Sequence, residues 1–250
     1  MKKDLPMTVF LPESYKTGTN RYPVVYFLHW AGGHYDTFHH PKSKLRTFAD
    51  LYNVIIVCPE GTPYGWWLDS PLDPSMKYES FVVKEVVPHM DKNYRTLPER
   101  TQRGITGGSM GGHGAWYLGL RHRDTFGVVG AVYGGVDLRP YPNRWQLSKI
   151  LGTLKDHPEN WRDHSVVTLA KGLKNKELDL IAIVGTQDIF IGPNRNLHKI
   201  LTQNKVAHTY IEVQGENQVY SSHSIPFGIK SFPIMFRFIS NYFKEGQGHL

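Results

Sequence analysis

The chain has 250 residues, 40% of them hydrophobic and 20% charged, enough for one core that buries about 70% of the unfolded surface, so a single domain over 1–250 is expected. Its formal net charge of +7 is scattered, with Lys2, Lys3 and the stretch from Lys171 to Lys176 reading as solvated surface, and without a DNA- or RNA-binding signature nucleic acid is set aside as a partner. No apolar run approaches the about 18 residues of a membrane span, which sets aside a membrane-spanning segment too.

Lys3 to Pro12 read as a strand already under way, and Met1 to Leu11 lack the apolar core of a signal segment. If residues precede Met1, an export signal would be among them and a periplasmic or secreted protein is expected; localisation is otherwise open. Val24 to Leu28 is the first strong strand and ends in His29-Trp30-Ala31-Gly32-Gly33-His34. A glycine-containing turn at a strand's carboxyl end is the right place for a backbone amide that binds an oxyanion. Glycines that merely make the turn are the plainer reading.

Ser43 to Asp50 has helical spacing. Val54 to Val57 is a second apolar strand, and next to it stands Cys58, the single cysteine; no intramolecular disulfide is possible and a small buried hydrophobe is expected. The loop Gly61-Thr62-Pro63-Tyr64-Gly65-Trp66-Trp67 should overhang the same edge of the sheet. Its Tyr64 and Trp66 offer rings for a sugar or a phenolic acyl group. Core packing suits Trp66 equally and Trp67 better.

After a helical stretch from Tyr78 to Asn93, Pro98 to Gln102 form a polar turn leading into a brief strand, Arg103 to Thr106. There follow Gly107-Gly108-Ser109-Met110-Gly111 and a helix-like run from Gly111 to Arg121, with Ala115, Leu118 and Leu120 facing inward. A G-x-S-x-G pentad between strand and helix has the setting of a nucleophile elbow, in which the serine is exposed on a strained turn and the next amide, here Met110, points at the reacting carbonyl. The positive end of the helix then lies beneath the serine. A glycine-rich turn that merely contains a serine is the bland alternative, and the strand-turn-helix context tells against it.

Val128 to Val132 is another strand. Leu138 to Leu169 form a longer insertion containing Tyr141, Trp145 and Trp161, expected to cap the site. The strand Leu180 to Val184 leads to Gly185-Thr186-Gln187-Asp188, a helix runs over Asn194 to Gln203, and the strand Thr209 to Val213 precedes a polar loop holding Ser221-Ser222-His223-Ser224. Ile229 to Phe243 form the last helix. Continuous apolar strands alternating with helices predict an α/β fold, a mostly parallel sheet covered on both faces, with ligands at the carboxyl ends of the strands. Asp188 and His223 both follow such ends, and the chain order Ser109, Asp188, His223 suits a triad in which His223 takes the serine proton and Asp188 orients the imidazole. His198 falls inside a helix and His208 at the start of a strand, so neither fits. His39, His40 and His113 have no partners at ligand spacing; no metal and no cofactor are expected.

With these motifs in order, the chain resembles the esterase group of α/β-hydrolases that includes esterase D-like enzymes, tributyrin-type esterases, and the feruloyl and acetylxylan esterases of carbohydrate esterase family 1. The resemblance covers nearly the whole chain: Leu11-Pro12 and Tyr15, Leu28-His29, Trp67-Leu68-Asp69-Ser70-Pro71, Tyr94-Arg95-Thr96, Gly107 to Gly112, Gly185 to Asp188, and Ser222-His223-Ser224. It implies an α/β-hydrolase fold, a catalytic triad of Ser109, Asp188 and His223, and an oxyanion hole from Met110 and the Trp30-Ala31 turn. Family members generally have Gly where Trp30 stands and often Gly where Ser222 stands. The bulky indole departs from the pattern in the oxyanion loop and could line the acyl pocket.

The function expected is a serine carboxylic-ester hydrolase working through an acyl-enzyme on feruloyl or acetyl esters of carbohydrate, its only partner a small-molecule or polysaccharide ester. His29, Tyr64, Trp66 and Trp145 are the candidate substrate-binding residues. The alternatives are an acyltransferase on the same triad and a catalytically weak carbohydrate-binding protein on a hydrolase scaffold.

Overall fold

A computed structural model describes residues 3–215, 217 and 222–247, with side chains to Glu245; Met1, Lys2 and Ser221, singled out above, lie outside the described residues. Seven strands, β1 (Met7–Phe10), β2 (Val24–Leu28), β3 (Ile55–Pro59), β4 (Arg103–Gly108), β5 (Val128–Val132), β6 (Asp179–Gly185) and β7 (Thr209–Val213), form one sheet in the order β1-β3-β2-β4-β5-β6-β7. Only β1 runs antiparallel, pairing Met7 with Pro59 and Phe10 with Ile56. Every residue of β2, β3, β4 and β5 is buried, as a parallel sheet covered on both faces demands. Because side chains alternate along a strand, Val24, Tyr26 and Leu28 enter one core while Val25 and Phe27 enter the other.

The second core is closed by α1 (Leu45–Tyr52) and α9 (Ile225–Gln247), which supply Phe48, Phe232, Phe236 and Ile239. The first takes α2 (Tyr78–Phe81), α3 (Val87–Asn93) and α4 (Met110–Arg121). The single helix expected over Tyr78 to Asn93 is continuous but carries a π-turn at Val82–Val86, where the Val87 N–H reaches the Val82 carbonyl five residues back. Pro88 explains it: a proline clashes with the carbonyl four residues before it, and a wider turn relieves the contact.

The segment 138–169 contains α5 (Leu147–Leu151), α6 (Pro158–Asp163) and α7 (Val166–Leu169). Its Trp161 is fully buried and donates from Nε1 to the Gly152 carbonyl at 3.0 Å. Helix α4 is buried along its entire length to Leu120, not on one stripe, because the sheet covers one side and α7 the other. The remaining helix, α8 (Ile191–Gln203), begins earlier than expected, since Pro193 is tolerated in a first turn, where an amide has no helical partner to lose. Lys171, Lys174 and Lys176 are exposed as expected.

Candidate active site

β4 delivers Ser109 at the centre of the sheet's carboxyl edge. Ser109 has φ 56° and ψ −118°, a conformation that costs an L-residue about 1–2 kcal/mol. It persists because the turn has no alternative path. A Cβ on Gly111 would lie 2.1 Å from the Leu28 carbonyl oxygen, and one on Gly107 would lie 2.6 Å from both that oxygen and the Gly111 backbone. The elbow is pinned further by the Ser109 N–H on the Val132 carbonyl at 3.0 Å and by the His113 N–H on the Ser109 carbonyl at 2.9 Å.

β6 ends at Gly185 and delivers Asp188, whose side chain is fully buried. The Phe190 N–H donates to Asp188 Oδ1 at 2.7 Å, which leaves Oδ2 to accept from His223 Nδ1 at 3.0 Å. The other ring nitrogen, Nε2, accepts the Ser109 hydroxyl at 2.8 Å. Three residues from three strand ends therefore form one continuous relay. Two hydrogen bonds fix the axis of the imidazole but not its rotation about that axis. Tyr133 at 4.6 Å and the edge of Phe190 at 5.1 Å, both between ring centroids, flank the ring and oppose that rotation.

Around Ser109 lies a cavity of about 270 Å³ lined by Trp30, Ala31, Tyr133, Trp145, Ser224 and Ile225 besides Ser109 and His223. Among the described residues no carboxylate or ammonium lines it, and three of those six residues are aromatic. Trp30 is half-buried with its indole edge on Phe38 at 5.1 Å. It does not take a left-handed backbone conformation; Gly32 does, at φ 80°. The turn therefore accepts tryptophan without strain at that position.

His29 and Trp66, expected to bind substrate, are buried and do not line the Ser109 cavity. His29 is 1% exposed, donating from Nδ1 to the Trp30 carbonyl at 2.9 Å and accepting the Gly61 N–H on Nε2 at 3.0 Å. Burial lowers its pKa to about 4, so it is a neutral strut. By holding the Trp30 carbonyl, which also accepts the Gly33 N–H at 3.0 Å, it fixes the direction of the Ala31 N–H on the opposite side of the same planar peptide. Trp66 is also 1% exposed and donates to the Trp145 carbonyl at 3.3 Å, bracing the wall from behind. Tyr64 borders a neighbouring cavity instead. Trp145 does line the Ser109 cavity. Trp67 is core, its Nε1 donating to the His29 carbonyl at 3.2 Å.

Tyr133, Ile225 and Phe190 were not singled out from sequence. Tyr133 stands immediately past the carboxyl end of β5, so the strand-end rule that found Asp188 would have found it. His198 and His208 are bonded to each other at 2.7 Å in α8 and ahead of β7, apart from Ser109. Among the described residues no group of three or more metal-ligating side chains occurs, and no helix is long and apolar enough to cross a membrane.

Several proteins share this framework. A ferulic acid esterase superposes with a TM-score of 0.78 at 23% identity, over 96% of this chain and 97% of that one. S-formylglutathione hydrolase from Agrobacterium tumefaciens superposes with a TM-score of 0.81 at 19% identity, over 97% and 91%. In sequence, the esterase Rv1288 of Mycobacterium tuberculosis is 30% identical over 135 residues, 53% of this chain, and the match spans only 30% of that protein's length. S-formylglutathione hydrolase of Bos taurus is 23% identical over 246 residues, 88% of this chain and 84% of that protein. The family model described as "Putative esterase" matches residues 1–238, and with its seven-stranded, mostly parallel sheet the chain belongs to that esterase family of α/β-hydrolases.

Proposed function

We propose that the chain is a serine carboxylic-ester hydrolase acting through an acyl-enzyme, with feruloyl or acetyl esters of carbohydrate as its substrates. The observation that carries the reading is the relay of Ser109, His223 and Asp188 at 2.8 and 3.0 Å, opening on a cavity lined by Trp30, Tyr133 and Trp145. His223 Nε2 takes the Ser109 proton as Oγ attacks the ester carbonyl, and Asp188 stabilises the imidazolium. The Met110 N–H at the start of α4 and the N–H groups of the Trp30-Ala31 turn receive the oxyanion. When the intermediate collapses, the imidazolium protonates the departing alcohol; water then repeats the sequence on the acyl-enzyme.

The walls made by Trp30, Tyr133 and Trp145 suit a flat neutral acyl group, and the segment 138–169, which supplies Trp145, acts as the cap. Labelling with a fluorophosphonate tests the reading: it should modify Ser109 alone, and Ser109→Ala should lower kcat by about 10⁴-fold while the protein still folds. Wild-type turnover by that variant would end it. Rapid acyl transfer to added sugar with slow hydrolysis would mark an acyltransferase.

A further inference from the structure

Beside the Ser109 cavity lies a second one of about 490 Å³, bordered by Tyr64, Asp73, Met76, Gln146 and Lys149 among others. Two seams join them. Trp145 lines the first and Gln146, the next residue, lines the second; both have left-handed backbones, φ 47° and 59°. Ala31 lines the first and Pro63 the second, and the Gly32 N–H bonds the Pro63 carbonyl at 2.8 Å.

The second cavity has a fixed width. Buried Ser70 accepts the Asp73 N–H on Oγ at 3.0 Å and donates that hydroxyl to the Ile150 carbonyl at 2.7 Å. One serine thus ties the loop bearing Asp73 to the helix bearing Lys149. Hydrogen bonds from Ser75 hold the Asp73 carboxyl below its usual range, which keeps it an acceptor at neutral pH. The cavity therefore presents an acceptor at Asp73, a donor at Lys149, both at Gln146, and the ring of Tyr64. A neutral polyol meets all of these: its hydroxyls donate and accept, and the C–H face of a pyranose or furanose packs on a phenol ring. An anionic peptide with two carboxylates would find one cation and one opposing anion.

We infer that this cavity is the leaving-group subsite, binding the sugar whose ester bond lies at Ser109. The inference rests on the hydrolase reading above. Wild type and the variants Tyr64→Ala, Tyr64→Phe and Lys149→Ala are compared on one aromatic acid esterified to methanol and to arabinose, and each protein is titrated with free arabinoxylan oligosaccharide and with glutathione. The expected ratio of kcat/KM, sugar ester to methyl ester, is at least about tenfold in wild type, since 1.4 kcal/mol of binding is tenfold. It should fall to near one in Tyr64→Ala, fall severalfold in Lys149→Ala and survive in Tyr64→Phe, with oligosaccharide binding following the same order.

A wild-type ratio near one, or a ratio that the variants leave unchanged, overturns the subsite while leaving the hydrolase reading intact. Glutathione bound at Tyr64 in place of oligosaccharide also overturns it, in favour of a peptide leaving group. If no ester is turned over, the hydrolase reading fails; saturable oligosaccharide binding lost in Tyr64→Ala still supports a sugar site, and its absence overturns that as well.

Discussion

The elbow at Ser109 and the turn at Trp30 and Ala31 are two tight corners bordering one cavity, and they deal with strain in opposite ways. At the elbow the serine carries it: Ser109 sits at φ 56°, and the glycines at 107 and 111 are there because the backbones of β2 and α4 leave no room for a Cβ. At the turn a bystander carries it, Gly32 at φ 80°, and no atom lies within 4 Å of where its Cβ would be. A difficult backbone at Ser109 dictates every neighbour. A left-handed backbone moved two residues away, to Gly32, frees position 30, which is how Trp30 serves as a cavity wall.

Substitutions that insert a single carbon separate the two designs most sharply. In Gly111→Ala the new methyl meets the carbonyl oxygens of Leu28 at 2.1 Å and His29 at 2.7 Å, backbone that cannot step aside. A loss of more than about 4 kcal/mol in denaturant-measured stability, or no folded protein, is expected. A native-like midpoint would show that the elbow is softer than its geometry implies.

Acid should act on the turn, because the turn hangs on a titratable strut. The pKa of His29 is lowered to about 4 by burial, so as pH falls the unfolded chain takes up that proton first. Its contribution is complete above the ordinary histidine value near 6.5 and is lost towards pH 4, at up to about 1.4 kcal/mol per pH unit. Protonation also removes the acceptor for the Gly61 N–H. Thermal melts from pH 7 to 4 should show the decline, and His29→Gln should flatten it; an equal slope in the variant would assign the acid sensitivity elsewhere, with buried His113, also lowered to about 4, examined next.

Gly32→Ala should cost only about 1–2 kcal/mol, the penalty of a left-handed backbone without a clash, and should lower kcat for every ester by a similar factor as the amides lose alignment. A KM effect confined to one acyl group would instead make Gly32 part of the pocket. The smallest effect belongs to Trp30→Gly. It should keep turnover of acetyl esters within about threefold of wild type while changing acetyl-to-feruloyl selectivity by about tenfold, the scale of 1–3 kcal/mol available to a pocket wall. A large, uniform rise in kcat would recast the indole as a brake on the oxyanion hole.

The same contrast explains what could be read from the chain. The grouping of Ser109, Asp188 and His223 was legible because the first two stand just past the carboxyl ends of β4 and β6 and the third in the loop that follows β7, and parallel strands announce themselves as unbroken apolar runs. The limits of β2 to β7 held to within a residue or two for the same reason, whereas the strand read over Lys3 to Pro12 shrinks to Met7–Phe10, the antiparallel edge. Aromatic residues in loops gave no such signal. Trp66 and Trp145 are both tryptophans in loops over one sheet edge and both have left-handed backbones, φ 52° and 47°, yet one braces the wall from behind and the other lines the cavity, a distinction made by tertiary packing alone. His29 looked like a ligand-facing residue because it ends a strand; burial and the carbonyl of Trp30 turned it inward. Phe190 was silent because one contribution is a backbone N–H, which every residue but proline possesses, and the other is a ring laid against His223 only by the folded turn after Asp188.

Cys58 gives the opposite edge of the sheet a built-in clock. It lies in β3 directly across from Thr8 of β1, 1% exposed, with burial raising its thiol pKa above the usual range. While β1 stays docked the sulfur is neither accessible nor ionised, so an alkylating reagent has nothing to attack. The side chain lies in the core shared with Phe10 of β1 and with α1, so the one thiol in the chain is uncovered when β1 and the layer over it open together. The rate of its modification under native conditions therefore counts openings of the β1 edge, separately from global unfolding, and that edge can be timed without adding a probe.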